Sequence, residues 1–145
     1  RYLLGRLHET VGALARAGIR VMPLKGAAFL LADPERGMAR TMGDIDLLVR
    51  APDLARARAV LLGQGWGTSA LEAKVDFYAA HHHLPPLDDT RGTGLSVELH
   101  AAPFPPGHPF LLDACDFWRS ALPWGGADGV VLPSPRVALL HACVH

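Results

Sequence analysis

The sequence predicts an α/β (α+β) fold, in which helices flank a small mixed β-sheet. Three observations lead to this prediction. Stretches of helical periodicity alternate with short apolar runs, in the order helix, strand, helix, strand, helix and strand pair (αβαβαββ). Two of the predicted strands carry carboxylates between apolar neighbours. The 145 residues, 50% hydrophobic and 19% charged, suit a single globular domain.

The first part of the chain supplies two helices and one strand. Apolar residues recur at helical spacing over residues 3–15, and Gly18 is expected to end this helix. Residues 19–22 form a short apolar run with β-branched members, which predicts a strand. Small residues over 26–31 predict a second helix, and the proline and glycines of residues 32–43 predict a loop.

The next part supplies the remaining strands. Residues 44–49 first alternate acidic and apolar side chains and then continue apolar, which predicts a strand with at least one buried face. A proline near the first turn predicts a helix over residues 51–62. Residues 75–84 and 95–101 are predicted to be strands, and the polar residues 85–94 are predicted to form the turn between them.

The C-terminal part is less regular. Four prolines make residues 103–109 an irregular connector, and residues 110–122 are expected to be partly helical. Ser134-Pro135 is typical of a helix start. We therefore expect a main domain over residues 1–133 and the start of a C-terminal helical region over 134–145. Because both ends lie within apolar-periodic stretches, the chain is expected to be a fragment of a longer protein.

Three acidic residues are the strongest candidates for a functional site. Asp44 and Asp46 are two residues apart in a predicted strand, so their side chains point to one face, about 6 to 7 Å apart. Glu98 lies between apolar residues in a later strand. If these strands are neighbours the carboxylates converge, and a pair about 4 Å apart repels by about 4 kcal/mol unless cations lie between them. Such oxygen ligands suit Mg²⁺ or Mn²⁺, although two aspartates at this spacing could also cap a loop or face solvent.

A lysine–glycine turn precedes the acidic strand. Lys25, Gly26 and Ala27 follow the first predicted strand and open the second predicted helix. The start of a helix offers free N–H groups and the positive end of the helix dipole, and both bind phosphate. Glycine lets a ligand approach the backbone closely. Arg40, in the loop that follows, could also reach a phosphate. The alternative is that Lys25 and Arg40 are ordinary surface cations.

Together these residues resemble the polymerase-β-like nucleotidyltransferase superfamily, and within it a bacterial group usually called uncharacterised nucleotidyltransferases. The superfamily pattern is a glycine turn that opens a helix, two acids separated by one residue on a strand, and a third acid on a later strand. The corresponding segments here are Lys25-Gly26-Ala27, Asp44-Ile45-Asp46 and Val97-Glu98-Leu99-His100, within roughly residues 10–102. Most of the superfamily has Gly-Ser or Gly-Gly at the turn, so the serine hydroxyl that often contacts phosphate is missing here.

The resemblance implies a reaction and a role for each residue. The protein would transfer a nucleoside monophosphate from ATP or another nucleoside triphosphate to the hydroxyl of a small-molecule or protein acceptor, with release of pyrophosphate. Asp44, Asp46 and Glu98 would bind two Mg²⁺ or Mn²⁺ ions, and Glu98 would help to deprotonate the acceptor. The triphosphate would be bound through Lys25, Gly26, Ala27 and Arg40. Residues 1–133 would be the catalytic domain, and the helical region that follows shapes the acceptor site in many members.

Two other functions are compatible with the sequence. The altered turn would also suit a catalytically degenerate module that keeps the fold and binds a nucleotide or a protein. His81 and His83 would share one strand face, and together with His100 they could bind zinc if their strands pair, as in a zinc hydrolase. If the protein is instead the transferase or the degenerate module, His100 would orient Glu98 or contact phosphate.

Charge and cysteine content limit the expected partners and location. The chain has 14 basic and 14 acidic residues, so a nucleic-acid partner is not expected. No apolar run approaches the ~18 residues that cross a membrane, so a membrane partner is not expected either. Cys115 and Cys143 lack the spacing of a disulfide framework and are expected to be reduced thiols in a cytoplasmic protein.

Overall fold

A five-stranded mixed sheet is the centre of the fold. The computed structural model describes residues 1–39, 41–70, 82–109 and 112–144. The strands of the sheet are β1 (Val21–Pro23), β2 (Asp44–Val49), β3 (Trp66–Thr68), β4 (Leu87–Asp89) and β5 (Ser96–His100). Their order across the sheet is β1-β2-β5-β4-β3. The predicted fold class, a small mixed sheet with flanking helices, is confirmed.

Six helices and a short hairpin accompany the sheet in the described part of the chain. The helices are α1 (Tyr2–Arg16), α2 (Lys25–Ala32), α3 (Pro34–Gly37), α4 (Leu54–Leu62), α5 (Ala114–Arg119) and α6 (Pro135–Val144), and a 3₁₀ turn (Ala51–Asp53) precedes α4. The hairpin pairs β6 (Leu122–Pro123) with β7 (Val131–Leu132). None of the described helices is long and apolar enough to cross a membrane.

Strand β2 lies between β1 and β5, and its pairing with β5 sets the position of the acidic residues. The β2–β5 pair is parallel, whereas β1 and β2 are antiparallel. In the parallel register Asp46 is opposite Glu98, and Leu48 is opposite His100. Because successive side chains alternate between faces, Asp44 and Asp46 share one face of the sheet with Glu98 and His100. We call this side of the sheet the carboxylate face.

Each face of the sheet has its own hydrophobic cluster. On the face opposite the carboxylates, buried residues of β2 and β5 pack with α1 and α4; they include Ile45, Leu47, Val49, Val97, Leu99, Leu7, Leu14 and Leu61. On the carboxylate face a second cluster holds the C-terminal elements against β1 and β2; its members are Met22, Leu24, Leu48, Phe104, Phe117, Val131 and Val137. Full burial of one such side chain contributes about 1.5 to 3 kcal/mol. A stable apolar contact between the sheet and α6 therefore lies on the carboxylate face, beside the candidate site.

The loop predicted over residues 32–43 contains a short helix that sequence analysis missed. Helix α3 begins at Pro34, a residue that suits the first turn because it lacks the N–H that a helix start leaves without a partner. The Asp33 carboxylate accepts a hydrogen bond from the Arg36 N–H at 3.2 Å and caps this turn. The Asp-Pro pair therefore starts a helix rather than only interrupting the preceding one.

The predicted turn over residues 85–94 is shorter than expected, because it contains strand β4. This strand pairs with β3 and β5, and β3 lies in a stretch for which sequence analysis predicts no strand. Most of the strand predicted over residues 75–84 lies outside the described residues, and at its described end His83 forms a bridge with His100. Pairing between distant segments, which local sequence does not show, decides these elements.

A buried ionic network joins α1 to β4 at the other end of the sheet. Arg6 and Asp89 have side chains that are 2% and 0% exposed, and Arg6 Nη2 lies 3.3 Å from Asp89 Oδ1. The Asp89 carboxylate also accepts hydrogen bonds from the hydroxyls of Tyr2 and Thr93. The Arg6 guanidinium stacks over Trp66, with its central carbon 4.3 Å from the ring centroid. This network holds the N-terminal helix on the β3–β4 edge.

Removing the Asp89 carboxylate should destabilise the fold strongly. We expect Asp89→Ala to lower the free energy of unfolding by about 3 kcal/mol, because the buried Arg6 charge keeps only the half-exposed Glu9 as partner and the Tyr2 and Thr93 hydroxyls lose their acceptor. Urea unfolding followed by tryptophan fluorescence measures the change. The neighbouring Asp88 is exposed, so Asp88→Ala is the matched control and should change the free energy by less than about 0.5 kcal/mol. Equal effects of the two substitutions would contradict this account of the network.

Candidate active site

Asp46 is the buried centre of a polar cluster on the carboxylate face. Strand β2 places it between Ile45 and Leu47, whose side chains point into the core on the other face. The Asp46 side chain is 5% exposed. Asp44, at the start of the same strand, is exposed to solvent. The alternating sequence of β2 therefore buries one aspartate and leaves the other at the entrance to the cluster.

Glu98 and His100 reach Asp46 from the parallel neighbour strand β5. His100 Nε2 donates a hydrogen bond to Asp46 Oδ1 at 2.8 Å and lies 3.6 Å from Glu98 Oε2. One potential ligand atom from each of these three residues lies within 4.8 Å of the other two. Among the described residues, no other group of three His, Cys, Asp or Glu side chains comes this close.

Lys25 completes the cluster on the side of α2. Its Nζ lies 3.1 Å from Asp46 Oδ2. The Leu24 N–H donates to the backbone carbonyl of Asp46 at 2.9 Å, which fixes the start of α2 against β2. Lys25 has a φ of 47°, a left-handed conformation that is uncommon for residues other than glycine. Both oxygens of the Asp46 carboxylate thus have a side-chain nitrogen as partner.

These contacts determine the ionisation of the cluster. Burial disfavours the charged form of Asp46, but the hydrogen bond from His100 and the charge of Lys25 outweigh it and lower its pKa to about 2. The contact with His100 also lowers the pKa of Glu98, against the effect of burial. Burial opposes the charged form of His100, but its hydrogen bond to Asp46 and its contact with Glu98 raise its pKa above the ordinary value. Both carboxylates are therefore ionised at neutral pH.

The first turn of α2 adds backbone N–H groups beside the cluster. The first turn of the helix is formed by Lys25, Gly26 and Ala27. Their N–H groups have no acceptor carbonyl within the helix. Leu24, the residue before them, supplies no side-chain cap. A Cβ atom on Gly26 would overlap Sδ of Met42, so this glycine lets the loop before β2 pack on the helix start. This arrangement of N–H groups next to a lysine suits an anion.

Comparison with known families agrees with this geometry. A model of the family described as uncharacterised nucleotidyltransferase matches residues 1–145. The chain belongs to this family. No curated protein and no solved structure shows a significant match. The mixed sheet and its flanking helices are consistent with a nucleotidyltransferase fold, and the resemblance inferred from the motifs is confirmed.

The structure brings some of the residues predicted for this family member together and leaves others apart. Asp46, Glu98 and Lys25 lie in one cluster. Asp44 lies on the same face but is not among the residues whose ligand atoms are within 4.8 Å of one another. Ala27 is at the start of α2 with its side chain buried in the core. Arg40 lies outside the described residues.

His100 has a closer partner than sequence analysis expected. One of its expected roles was to orient Glu98, but its Nε2 is nearer to Asp46 Oδ1, at 2.8 Å, than to Glu98 Oε2, at 3.6 Å. The sequence contains the signal that Glu98 and His100, two residues apart on a strand, share one face. It does not contain the register that places Asp46 opposite them.

The histidines of the alternative zinc site are only partly described. His81 lies outside the described residues. The His83 ring centroid is 5.1 Å from that of His100, and His83 Nδ1 is 3.9 Å from Glu98 Oε2. Within the described residues, the group with metal-ligand spacing contains one histidine and two carboxylates rather than three histidines.

The donor atoms of the cluster suit a divalent cation. Asp46 and Glu98 supply carboxylate oxygens, the ligands that Mg²⁺ and Mn²⁺ prefer, and Mn²⁺ also accepts the imidazole of a residue such as His100. The Glu98 side chain is 26% exposed, so solvent reaches this side of the cluster. Asp44 offers a further oxygen on the same face.

An apolar groove of about 720 Å³ begins at this cluster. It lies between α2, the β6–β7 hairpin and α6, and its walls include Ala28, Phe29, Leu122, Leu132, Ala138 and His141. Lys25 lines the groove and also contacts Asp46, so the groove and the cluster share this residue. The volume is that of a typical small-molecule site.

Acid should weaken the metal-free protein through Asp46. Its folded pKa of about 2 lies below the usual unfolded value of about 3.9, so its ionised form contributes about 2 kcal/mol of stability above pH 4. That contribution is lost as the pH falls from about 4 towards 2, with about 1 kcal/mol gone by pH 3. Urea unfolding in EDTA at pH 5 and pH 3 measures the loss.

Two variants test whether this pH dependence comes from Asp46. Asp46→Asn should lose less stability than the wild type between pH 5 and pH 3, because it has no carboxylate to protonate at this position. Asp44→Asn removes an exposed carboxylate of the same strand and should keep the wild-type acid loss. If Asp46→Asn and the wild type lost the same amount, the pairing of Asp46 with His100 and Lys25 would not govern acid stability.

Proposed function

We propose that this chain is a metal-dependent nucleotidyltransferase that moves a nucleoside monophosphate from a nucleoside triphosphate to a hydroxyl acceptor, with release of pyrophosphate. The main support is one observation. The carboxylates of Asp46 and Glu98 lie side by side on parallel strands, and the first turn of α2 contacts Asp46 through Lys25 at 3.1 Å. Groups that suit cations are thus adjacent to groups that suit phosphate, which supports the proposal.

The three acidic residues would hold the metal. Asp46, at the centre, would contact both of two Mg²⁺ or Mn²⁺ ions, while Asp44 and Glu98 would complete their coordination. Such ions stabilise the attacking and the leaving oxygen of an in-line displacement at phosphorus. His100 would keep Asp46 in position through its 2.8 Å hydrogen bond.

The start of α2 would bind the triphosphate. The N–H groups of Gly26 and Ala27 and the positive end of the helix dipole attract the phosphate oxygens. Lys25 would supply the charge that replaces the serine hydroxyl of the usual turn. We keep Arg40 in this proposal on the sequence pattern alone. These residues would hold the α-phosphorus close to the acidic cluster.

Glu98 would act as the base for the acceptor. Its lowered pKa keeps it ionised at neutral pH, so it can take the proton of the acceptor hydroxyl. The acceptor oxygen would then form a bond to the α-phosphorus, while the bond from that phosphorus to the oxygen bridging the β-phosphorus breaks. The electron pair of that bond leaves with pyrophosphate.

The apolar groove would hold the body of the acceptor. The side chains that line it supply almost no hydrogen-bond partners besides Lys25 and His141, so a sugar or a second nucleobase would leave polar groups without partners. An aromatic or aliphatic alcohol would match this lining, with its hydroxyl directed towards the Lys25 end. The position of α6 on one wall fits the expectation that a C-terminal helical region shapes the acceptor site.

Nucleotide binding should depend on both the metal and Asp46. Calorimetric titration of ATP, GTP, CTP and UTP in the presence of Mn²⁺ should show binding of at least one triphosphate. Asp46→Asn should weaken it by about a hundredfold or more, since it removes the central metal ligand. The exposed Asp88→Asn, on β4, is the matched control and should bind as the wild type does.

A pyrophosphate-release assay with the same triphosphates separates the proposed enzyme from a degenerate binding module. The module is favoured by the occupation of both Asp46 oxygens by Lys25 and His100. Metal-dependent binding without pyrophosphate release, across alcohols, sugars and peptides, would support the module and contradict the proposed transfer. Full binding by Asp46→Asn would contradict the metal-dependent site of the proposed enzyme.

Filling the groove should block acceptors without affecting the nucleotide. Using an α-³²P-labelled triphosphate and a panel of alcohols, sugars and peptides, we expect label on the apolar alcohols. Ala138→Trp should reduce this labelling at least about tenfold, because the indole would occupy the groove. Leu139→Trp changes the next residue of α6, which is 65% exposed and does not line the groove, and should leave labelling intact. Normal labelling of alcohols by Ala138→Trp would place the acceptor elsewhere.

A further inference from the structure

Lys25 occupies an unfavourable backbone conformation to reach Asp46. Its φ of 47° makes it the one non-glycine residue with a positive φ among those that the structure describes. A side chain in this left-handed region costs conformational free energy, and such costs persist where other interactions fix the residue. Here the fixing contacts are the Leu24–Asp46 backbone hydrogen bond and the ion pair between Lys25 and Asp46.

The ammonium of Lys25 occupies a position at Asp46 that a bound cation would also use. Asp46 Oδ1 accepts a hydrogen bond from His100 at 2.8 Å, and Asp46 Oδ2 faces Lys25 Nζ at 3.1 Å. Without Lys25, the buried Asp46 charge would have His100 as its only cationic contact among the described residues. A metal ion that approaches Oδ2 would meet a positive charge already in place.

We propose that Lys25 is a stand-in cation that holds Asp46 while the site is empty and moves to the triphosphate when metal and nucleotide bind. This inference rests on the metal site proposed above and goes beyond it, because it makes one side chain responsible for coupling two ligands.

The coupling follows from competition for one carboxylate oxygen. Metal alone must displace the ammonium from Oδ2, so the ion pair weakens its binding. A triphosphate at the start of α2 offers Lys25 a second anion, and the displacement is then less costly. Each ligand therefore increases the affinity for the other, and by linkage the factor is the same in both directions.

The chain's two lysines allow a direct test in the native sequence. Lys25 and Lys74 are its only lysines, so acetylation by an amine-reactive ester can be followed at each one by peptide mass spectrometry. Mn²⁺ alone should increase the acetylation rate of Lys25 relative to Lys74 by several-fold, because the ammonium leaves Asp46. Mn²⁺ with a non-hydrolysable triphosphate should protect Lys25. An unchanged ratio in the presence of bound Mn²⁺ would overturn the proposal.

Variants test the same competition by affinity. Lys25→Met should bind Mn²⁺ alone roughly tenfold more tightly than the wild type, equivalent to about 1.4 kcal/mol of lost competition. Lys25→Gly, which also relieves the positive φ, should show the same gain, and Lys25→Arg should show none. Arg56→Met removes an exposed cation paired with Asp53 and controls for the change in net charge. The glycine variant keeps the test valid if Lys25→Met folds poorly.

The outcomes distinguish this inference from the proposed function. If the wild type binds Mn²⁺ with a triphosphate but Lys25→Met and Lys25→Gly bind Mn²⁺ no more tightly than the wild type, the coupling role is wrong and the metal site stands. If the wild type fails to bind Mn²⁺ even with a triphosphate present, both proposals are wrong. Tighter binding by both variants that disappears when Asp46→Asn is added would support the coupling role.

Discussion

The candidate site depends on the parallel pairing of β2 with β5. This register puts Asp46 opposite Glu98 on one face and Ile45 opposite Val97 on the other. A shift of one residue would turn every side chain of a strand to the other face, which would bury the carboxylates in the core and expose the apolar residues. The apolar core thus enforces the position of the acidic residues.

The described part of the chain contains two buried charge clusters, and their surroundings indicate different roles. In the cluster around Asp89, Tyr2 and Arg6 tie α1 to the β3–β4 edge, the Arg91 N–H and the Thr93 hydroxyl complete the contacts, and the Asp89 side chain is completely covered. In the cluster around Asp46, Glu98 is partly exposed, Asp44 is open to solvent, and a groove begins at Lys25. The first arrangement suits stability alone, whereas the second leaves room for ligands.

Sequence reasoning reached the fold class and the central acidic residues because both follow from local periodicity. Asp44, Asp46 and Glu98 were recognisable as carboxylates in otherwise apolar strands. Strand β4 and the contact between His100 and Asp46 were missed because they arise from pairing between segments far apart in the chain. Sequence reasoning could not predict the different exposure of Asp44 and Asp46 either. The period of two shows on which face of the sheet a side chain lies, but not how deeply that side chain is buried.

The lysine at the glycine turn explains how the buried carboxylate exists without a ligand. A buried ionised carboxylate is costly unless it is paired, and Lys25 gives Asp46 a full positive charge as its partner. The lysine stem is long enough to reach either Asp46 or a phosphate at the start of α2. Lys25 therefore stabilises the empty site and remains available to an incoming anion. On this view the altered turn changes how the site is assembled, and it does not by itself indicate that the site has degenerated.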